Sequence, residues 1–577
     1  MKSRSRGLLT ALTALTALAV LLGLAAMPSS AGAEEFGAAK HKKPPAKVSA
    51  MEMVEAMQPG WNLGNSLDAV GDDETAWGNP RITREQLRNV RAQGFESIRI
   101  PVTWSAHQGP GPSYTIDQAY MDRVEEVVGW ALDEGFYVMI NIHHDSWQWV
   151  MNLPRDYDNV MARYTAAWEQ IAGTFRDAPP KLSFESINEP FFEGSSGDAH
   201  NAELMHDLNA KFHGIVRGSG GNNTDRLLVL PTLHTSSDQE RLDELVDTFD
   251  ELDDPNLAAT IHYYGFWPFS VNVAGFTRYD DTSRQDLTDT FDRLHHTFVA
   301  RGIPLIIGEY GLLGFDRHTG TIQQGEKLKF FEHFGTHARA RGLTTMLWDN
   351  GQHFDRTAFR WNDPSLFRQI KSSWTTASGT ASSDQIFVRG SQQTTDATLT
   401  LNTNGHTLTS VVHGSRWLVR DRDYSVSGDR LTIRAATLDR LAGPGQYGVN
   451  TTISLRFSGG VPWDVHILTH DTPVLQNATG TTNSLRIPTA FRGDQLATME
   501  AVYADGGNAG PHDWTSFKEF DAAFAPDYEA GRITLPSAFF DAVRDNSTVN
   551  LTFHFWSGDT VSYTLTRSGS TVTGTAG

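Results

Sequence analysis

From about residue 50 to 375, short apolar runs alternate with amphipathic stretches of helix length. The runs are Trp61–Asn65, Ser97–Pro101, Tyr137–His143, Leu182–Asn188, Leu227–Pro231, Ala258–Tyr263, Pro304–Glu309 and Thr344–Trp348. Each has the length of a buried strand. Between them, Asp117–Asp133 gathers Met121, Val124, Val127, Val128 and Ala131 on one side and leaves Asp122, Arg123, Glu125 and Glu126 elsewhere. Asn201–Val216, Asp286–Ala300 and Thr321–Arg341 repeat that helical spacing. Strands and helices in strict alternation predict an α/β fold, a (β/α)8 barrel over 50–374. A doubly wound open sheet is the alternative. Its first strand would lead into a glycine-rich phosphate loop, and here that place holds Gly60-Trp61-Asn62-Leu63-Gly64-Asn65.

The pattern changes after Trp374. Residues 375–383 are rich in Ser, Thr, Ala and Gly and read as a linker. Beyond them the period shortens to two. Thr398–Leu401, Tyr424–Ser427, Leu431–Ile433 and Ile453–Phe457 read as strands separated by turns, predicting a small β-sandwich over 384–470. A further β-rich domain, 471–577, has an aromatic middle (Trp514, Phe517, Phe520, Phe524, Tyr528) and a Gly/Ser/Thr tail after Ser568 that is expected to fray.

The amino terminus reads as processing information. Lys2, Arg4 and Arg6 precede the apolar Leu8–Leu24, and Ala31-Gly32-Ala33 offers small residues for cleavage, so 1–33 is expected to be a signal peptide. Residues 34–49 read as a flexible tether. Loss of three basic and no acidic residues would move the net charge from −20 to −23. That acidity disfavours nucleic acid and anionic membranes as partners. The chain has no cysteine, so export would bring no disulfides. A secreted, extracellular monomer is the default expectation.

Placed on a barrel, the polar and aromatic residues gather at strand ends, where barrel enzymes keep their chemistry. Arg99 lies in the second strand; His143 and His144 follow the third; Asn188 and Glu189 follow the fourth; His262 and Tyr264 end the sixth; Glu309 ends the seventh; Trp348 and Asp349 end the eighth. Two glutamates facing each other across a substrate are what glycoside hydrolysis requires. Glu189 would be acid and then base, with a raised pKa; Glu309 would be the nucleophile, held ionised by Arg99 and Tyr264. Asn188 would meet the sugar 2-hydroxyl, His143 and His262 would orient carboxylates and hydroxyls, and Trp348 would form the floor. A structural ion pair is the alternative for either glutamate alone. His143-His144-Asp145 could hold a metal, but adjacent strand residues point apart, so the reading includes no metal and no cofactor. Trp61, Trp77, Trp147, Trp149 and Trp267 could be barrel packing; Trp77 and Trp147, in polar loops, are equally placed for sugar contact. Asp68, Asp145 and Asp349 read either as ligands or as loop hydrogen-bond acceptors.

These motifs together resemble glycoside hydrolase family 5, in its β-1,4-glucanase and xyloglucanase subfamily. The likeness rests on Gly60-Trp61-Asn62-Leu63-Gly64-Asn65-Ser66-Leu67, Ile98-Arg99-Ile100-Pro101, Asn141-Ile142-His143-His144, Asn188-Glu189-Pro190, Ile261-His262-Tyr263-Tyr264, Gly308-Glu309-Tyr310-Gly311 and Leu347-Trp348-Asp349. It implies the roles already given, adds Asn65 and His144 as cleft residues, and supplies the substrate class, a β-1,4-linked glucan. The 384–470 unit resembles the immunoglobulin-like modules that follow such barrels. The last unit resembles a family 46 carbohydrate-binding module, which in relatives of this layout helps complete the cleft. Trp514 and Trp556 are its expected sugar-facing residues, with a place in the domain core as the alternative. The expected activity is a retaining endo-β-1,4-glucanase acting on cellulose, mixed-linkage β-glucan or xyloglucan. A β-1,4-mannanase, a non-catalytic polysaccharide-binding protein and a metal-dependent hydrolase are the alternatives.

Overall fold

The computed structural model describes residues 48–577 apart from Pro444. The expected signal peptide and most of the tether lie outside the described residues. At Ser49 the chain is already committed to structure. Its hydroxyl accepts from the Glu52 amide while Glu52 accepts from the Ser49 amide, a reciprocal cap that starts a helix at Ala50–Ala56. This helix plugs one end of the barrel, packing Ala50, Val54 and Met57 against Met139, Val229, Ala258, Ile306 and Met346.

The barrel is closed and wholly parallel, in the order β1 to β8. Its strands are β1 Gly60–Asn62, β2 Ser97–Ile100, β3 Tyr137–Asn141, β4 Leu182–Glu185, β5 Leu228–Pro231, β6 Leu257–Tyr263, β7 Leu305–Tyr310 and β8 Thr344–Leu347. Outward-facing Ile98, Ile100, Val138, Ile140, Phe184 and Leu230 join the helices in one large core. The helix after β2 spans Gln118–Asp133, is capped by Asp117, and buries all five apolar residues named from its spacing. Several strands stop earlier than their apolar runs. The stretch after β4 leaves the ladder, although the Asn188 amide still reaches the Ile142 carbonyl at 2.8 Å.

Alternation breaks once where it matters. Along β7, Ile306 faces inward and Ile307 outward. Strict alternation would turn Glu309 outward. Instead the register shifts, so that Ile261 pairs with Ile307 while His262 pairs with Glu309. Gly308 is the extra residue, and it sits where a Cβ would lie 2.7 Å from the Thr260 hydroxyl. This bulge returns Glu309 to the barrel interior.

The middle module is a sandwich. Thr380–Ala381, Ala397–Asn402, Arg430–Ile433 and Tyr424–Ser427 form one sheet; Gln385–Arg389, Trp463–His470, Gly448–Phe457, Leu408–His413 and Arg416–Trp417 form the other. The segment expected as a linker is partly built into it. Thr380 and Ala381 pair with Asn402 and Leu401, and Ser378 is fully buried. Its small residues permit close approach: a Cβ on Gly379 would lie 2.6 Å from the Phe457 ring.

The third module differs from a two-sheet sandwich. Its strands form one nine-stranded sheet around a core that includes Leu485, Ile487, Met499, Ile533, Phe553 and Leu565. Its tail does not fray. Thr571–Ala576 pairs on one side with Thr560–Ser568 and on the other with Ala478–Thr481, burying Val572. Among the described residues, no helix is long and apolar enough to cross a membrane.

Candidate active site

Arg99 is the centre of the barrel mouth. Facing inward from β2, it is fully buried. Its Nε donates to Glu185 at 2.9 Å, one terminal nitrogen to Asn62 at 3.0 Å and to Glu309 at 2.7 Å, and the other to Asn188 at 2.7 Å. Burial opposes its charge, but the carboxylates of Glu185 and Glu309 outweigh burial and hold it protonated. A guanidinium suits this place because its planar fork reaches several acceptors at once. Glu185 also accepts from Asn141 at 2.8 Å.

Glu309 is nearly buried, and its second oxygen accepts from the Tyr264 hydroxyl at 2.6 Å. Glu189 enters from the other side. Its backbone lies in the left-handed region, φ 40°, just before Pro190. A non-glycine residue held there costs about 1–3 kcal/mol, a strain typical of working sites. The His262 Nδ1 is 2.8 Å from Glu189 and 3.5 Å from Glu309. One oxygen of each glutamate and one His262 nitrogen all lie within 4.8 Å of one another.

The charges of this trio are coupled. Burial pushes His262 down, yet the two glutamates pull it up, with a net rise. Burial pushes Glu189 up, but the His262 hydrogen bond and charge outweigh it, with a net fall. The raised Glu189 pKa expected from the sequence is therefore reversed in the free site, because the donor beside it is a histidine. The Glu189 side chain is 48% exposed to the open cleft, so solvent damps this coupling.

The cleft above has a volume of about 480 Å³. His143, His144, Asn188, Glu189, Tyr264, Glu309 and Trp348 all line it. Trp348 stacks parallel to His143 at 6.0 Å. The indole presses on Gly64, where a Cβ would lie 2.7 Å from the ring. Trp77 and Trp147 stand half-exposed on either side of His144, which accepts from the Trp147 indole at 2.9 Å. Asn65 does not line the cavity; its amide donates to Asp68 and its carbonyl accepts from Asn79.

The structure corrects the expected divergence of the two histidines and decides several alternatives that the sequence left open. The His143 and His144 rings do not diverge; they lie past the end of β3 and touch edge to face at 4.4 Å. Asp145 turns away to accept from the Trp104 amide and the Trp149 indole. Asp68 takes its place beside the two histidines. Asp349 is a loop organiser, accepting from the Trp61 indole and three backbone amides. Trp61 and Trp149 are packing residues, whereas Trp267 lines the cleft. Trp556 sits beneath the Arg278 guanidinium, 4.9 Å away, because its strand end docks on the barrel.

The resemblance implied a wall from the third module with Trp514 on it; sequence reasoning missed Glu519, His512 and Lys518. Glu519 lines the cleft and pairs with Arg317 at 2.7 Å. Trp514 stands 6.4 Å from Trp267, with His512 beside both. Lys518, fully buried, donates to the carbonyls of Pro511, His512 and Thr515 and so shapes this loop. Nothing in the sequence marks these contacts, because they depend on how two modules dock. For Glu185 there was a signal: Arg99, buried in a strand, needs carboxylates nearby.

A parallel barrel with two facing carboxylates at its mouth, an arginine between its strands and an indole floor defines a hydrolase site of the two-carboxylate type. Comparison with known proteins narrows this. Residues 62–354 match the model for cellulase (glycosyl hydrolase family 5), 380–467 that for carbohydrate binding domain X2, and 471–575 that for a further carbohydrate binding domain of the CBM46 type. The chain is 54% identical to endoglucanase B of Paenibacillus lautus over 96% of its own length and 98% of that protein. The full-length tri-modular endo-beta-1,4-glucanase B of Bacillus halodurans superimposes with a TM-score of 0.90 at 51% identity, covering 92% of this chain and all of that one. A tri-modular enzyme of Bacillus licheniformis, solved with cellotetraose, gives a TM-score of 0.78 at 30% identity, covering 92% and 99%. The chain belongs to glycosyl hydrolase family 5, the cellulase family, and carries two carbohydrate-binding domains behind its barrel.

Proposed function

We propose that this protein is a secreted endo-β-1,4-glucanase that cleaves internal bonds of cellulose, mixed-linkage β-glucan or xyloglucan with retention of configuration. The observation that carries the reading is the approach of Glu189 and Glu309 to within 4.8 Å, both served by His262. A separation of about 5–5.5 Å suits direct attack by one carboxylate; inverting enzymes need more room, for a water. Glu309, fixed by Arg99 and Tyr264, attacks the anomeric carbon. Glu189 gives its proton to the departing glycosidic oxygen. In the second half, Glu189 takes a proton from water, whose oxygen displaces Glu309.

The depressed Glu189 pKa of the free site is compatible with this. His262 Nε2 is buried with no hydrogen-bond partner. Substrate filling the cleft removes the solvent that stabilises charged forms of His262 and Glu189, which favours the neutral pair with the proton on Glu189. Asn188 faces the same space, with its carbonyl oxygen held by Arg99 and its amide nitrogen left for a sugar hydroxyl. Trp77, Trp147 and His144 serve sugars on one side of the cleavage point and Trp267 and Trp514 on the other. The relatives' names and the cellotetraose bound to the Bacillus licheniformis enzyme support a glucan over a mannan. The basic-then-apolar start of the chain supports export.

The test is reducing-end release from carboxymethyl-cellulose, barley β-glucan, xyloglucan and mannan, with Glu309→Ala alongside. Release from glucans, lost in the variant, is the expected outcome; release from mannan alone would overturn the substrate class. Azide added to Glu309→Ala should form a glycosyl azide of inverted configuration. Its formation by Glu189→Ala instead would exchange the two roles.

A further inference from the structure

A third cluster of ligand-type side chains lies outside the barrel, where the middle and third modules join. His470 ends the strand Trp463–His470; Asp494 precedes Leu496–Tyr503; Asp559 sits in the turn between Ser547–Phe555 and Thr560–Ser568. One ligand atom from each lies within 4.8 Å of the others, and His470 Nδ1 is 3.7 Å from the nearer Asp494 oxygen. His470 is only 4% exposed, and its Nδ1 has no hydrogen-bond partner. A buried ring nitrogen facing two carboxylates without a bond of its own is costly unless something occupies the space between them.

The carboxylates are already aimed. Asp494 Oδ1 accepts the amides of Gln495 at 2.8 Å and Ser557 at 3.2 Å, and Oδ2 accepts the Ser557 hydroxyl. Asp559 accepts the Thr472 hydroxyl at 2.8 Å and the Arg389 guanidinium. Such outer bonds fix ligand geometry before an ion arrives. Asp494 Oδ2 and both Asp559 oxygens, each accepting one such bond, keep lone-pair capacity. Arg389 is paired with Asp559 and offsets its charge.

We propose that His470, Asp494 and Asp559 bind a first-row divalent cation, of the zinc class, that pins the third module to the middle one. One imidazole nitrogen with two carboxylate oxygens is a mixed set that suits zinc; calcium and magnesium favour oxygen alone. Three protein ligands leave a position for water. The rival occupant is a proton shared between His470 and Asp494, which would make the cluster a simple polar network.

The test titrates the chelator-treated full chain with Zn²⁺ by calorimetry, beside His470→Ala and Asp559→Asn. The active-site clusters Asp68/His143/His144 and Glu189/His262/Glu309 could also take zinc, so the reading is the difference between proteins. Both variants should bind one ion fewer per chain, and Zn²⁺ should raise the Tm of the wild type more than theirs. Co²⁺ loading should give the wild type a visible absorption that His470→Ala lacks. Asp559→Asn keeps the shape and the Thr472 contact, so it decides the matter if His470→Ala does not fold. Equal stoichiometry and equal Tm shifts in the wild type and the folded variant would overturn the site.

Discussion

The two walls of the cleft are built in opposite ways. The wall holding Glu309 and Arg99 comes from strand interiors, where ladder register fixes each side chain and burial forces every charge to have a partner. The wall holding Trp514 and Glu519 comes from a loop of another module, where aromatic rings stand in solvent and one buried lysine gathers the backbone. The first has little freedom and carries the charge changes of the reaction. The second can vary without disturbing them. On the proposed function, chemistry and chain selection are thus assigned to structures of different stiffness.

The sharpest way to break this contrast is Arg99→Met. It leaves Glu185 and Glu309 facing each other with no cation between them. Removing one partner of a buried pair costs about 3–5 kcal/mol, and we expect that loss in chemical denaturation. Turnover should fall at least about 10²-fold, as when a transition-state electrostatic partner is removed. A variant with near-normal stability would show that Arg99 does not organise the mouth. Next comes Gly64→Ala, whose Cβ would push on the Trp348 indole from 2.7 Å. Displacing the floor by a fraction of an ångström should lower kcat/KM about 10–100-fold on every glucan, with the fold intact by circular dichroism.

These two variants also mark what the sequence could show. Arg99, Asn188, Glu189, His262, Tyr264, Glu309 and Trp348 were legible because barrel periodicity puts strand ends at one mouth, and a charged residue inside an apolar run demands an explanation. The bulge at Gly308 was not legible, since counting by twos along Ile306-Ile307-Gly308-Glu309 points the glutamate the wrong way. The direction of the Glu189 shift was missed because it depends on a histidine 73 positions away in the chain. Small residues at 375–383 and after Ser568 looked like slack and were instead clearance for Phe457 and Tyr563.

A milder probe within the first wall is pH. His262 has a raised pKa, so its contribution to stability is complete below its ordinary 6.5 and is lost as pH climbs past the raised value. Glu189 has a lowered pKa, so its contribution is complete above its ordinary 4.5 and is lost as pH falls past the lowered value. Both act together between pH 4.5 and 6.5. His262→Gln should therefore reduce Tm most within that window and least outside it. Without the histidine, Glu189 loses the hydrogen bond and charge that hold its pKa down, so that pKa should rise, with Arg99 and His144 still opposing burial. A uniform loss of Tm at all pH values would mean that His262 acts by packing.

The smallest effect belongs to the second wall, and its selectivity is the point. Trp514 is 57% exposed and meets Trp267 across the module boundary. Trp514→Ala removes a stacking surface worth about 0.5–1.5 kcal/mol, or up to about tenfold in KM. The loss should appear on long or branched glucans that reach Trp267 and be absent on short soluble chains that sit over Trp348 alone. It should leave kcat and Tm unchanged, because no charge and no buried contact is removed. Lys518→Met should reproduce the pattern less cleanly, since the carbonyls of Pro511, His512 and Thr515 would lose their shared donor and the loop would carry Trp514 out of register. Equal losses on short and long chains would place Trp514 in the same functional unit as Glu309, and the division of labour between the two walls would not stand.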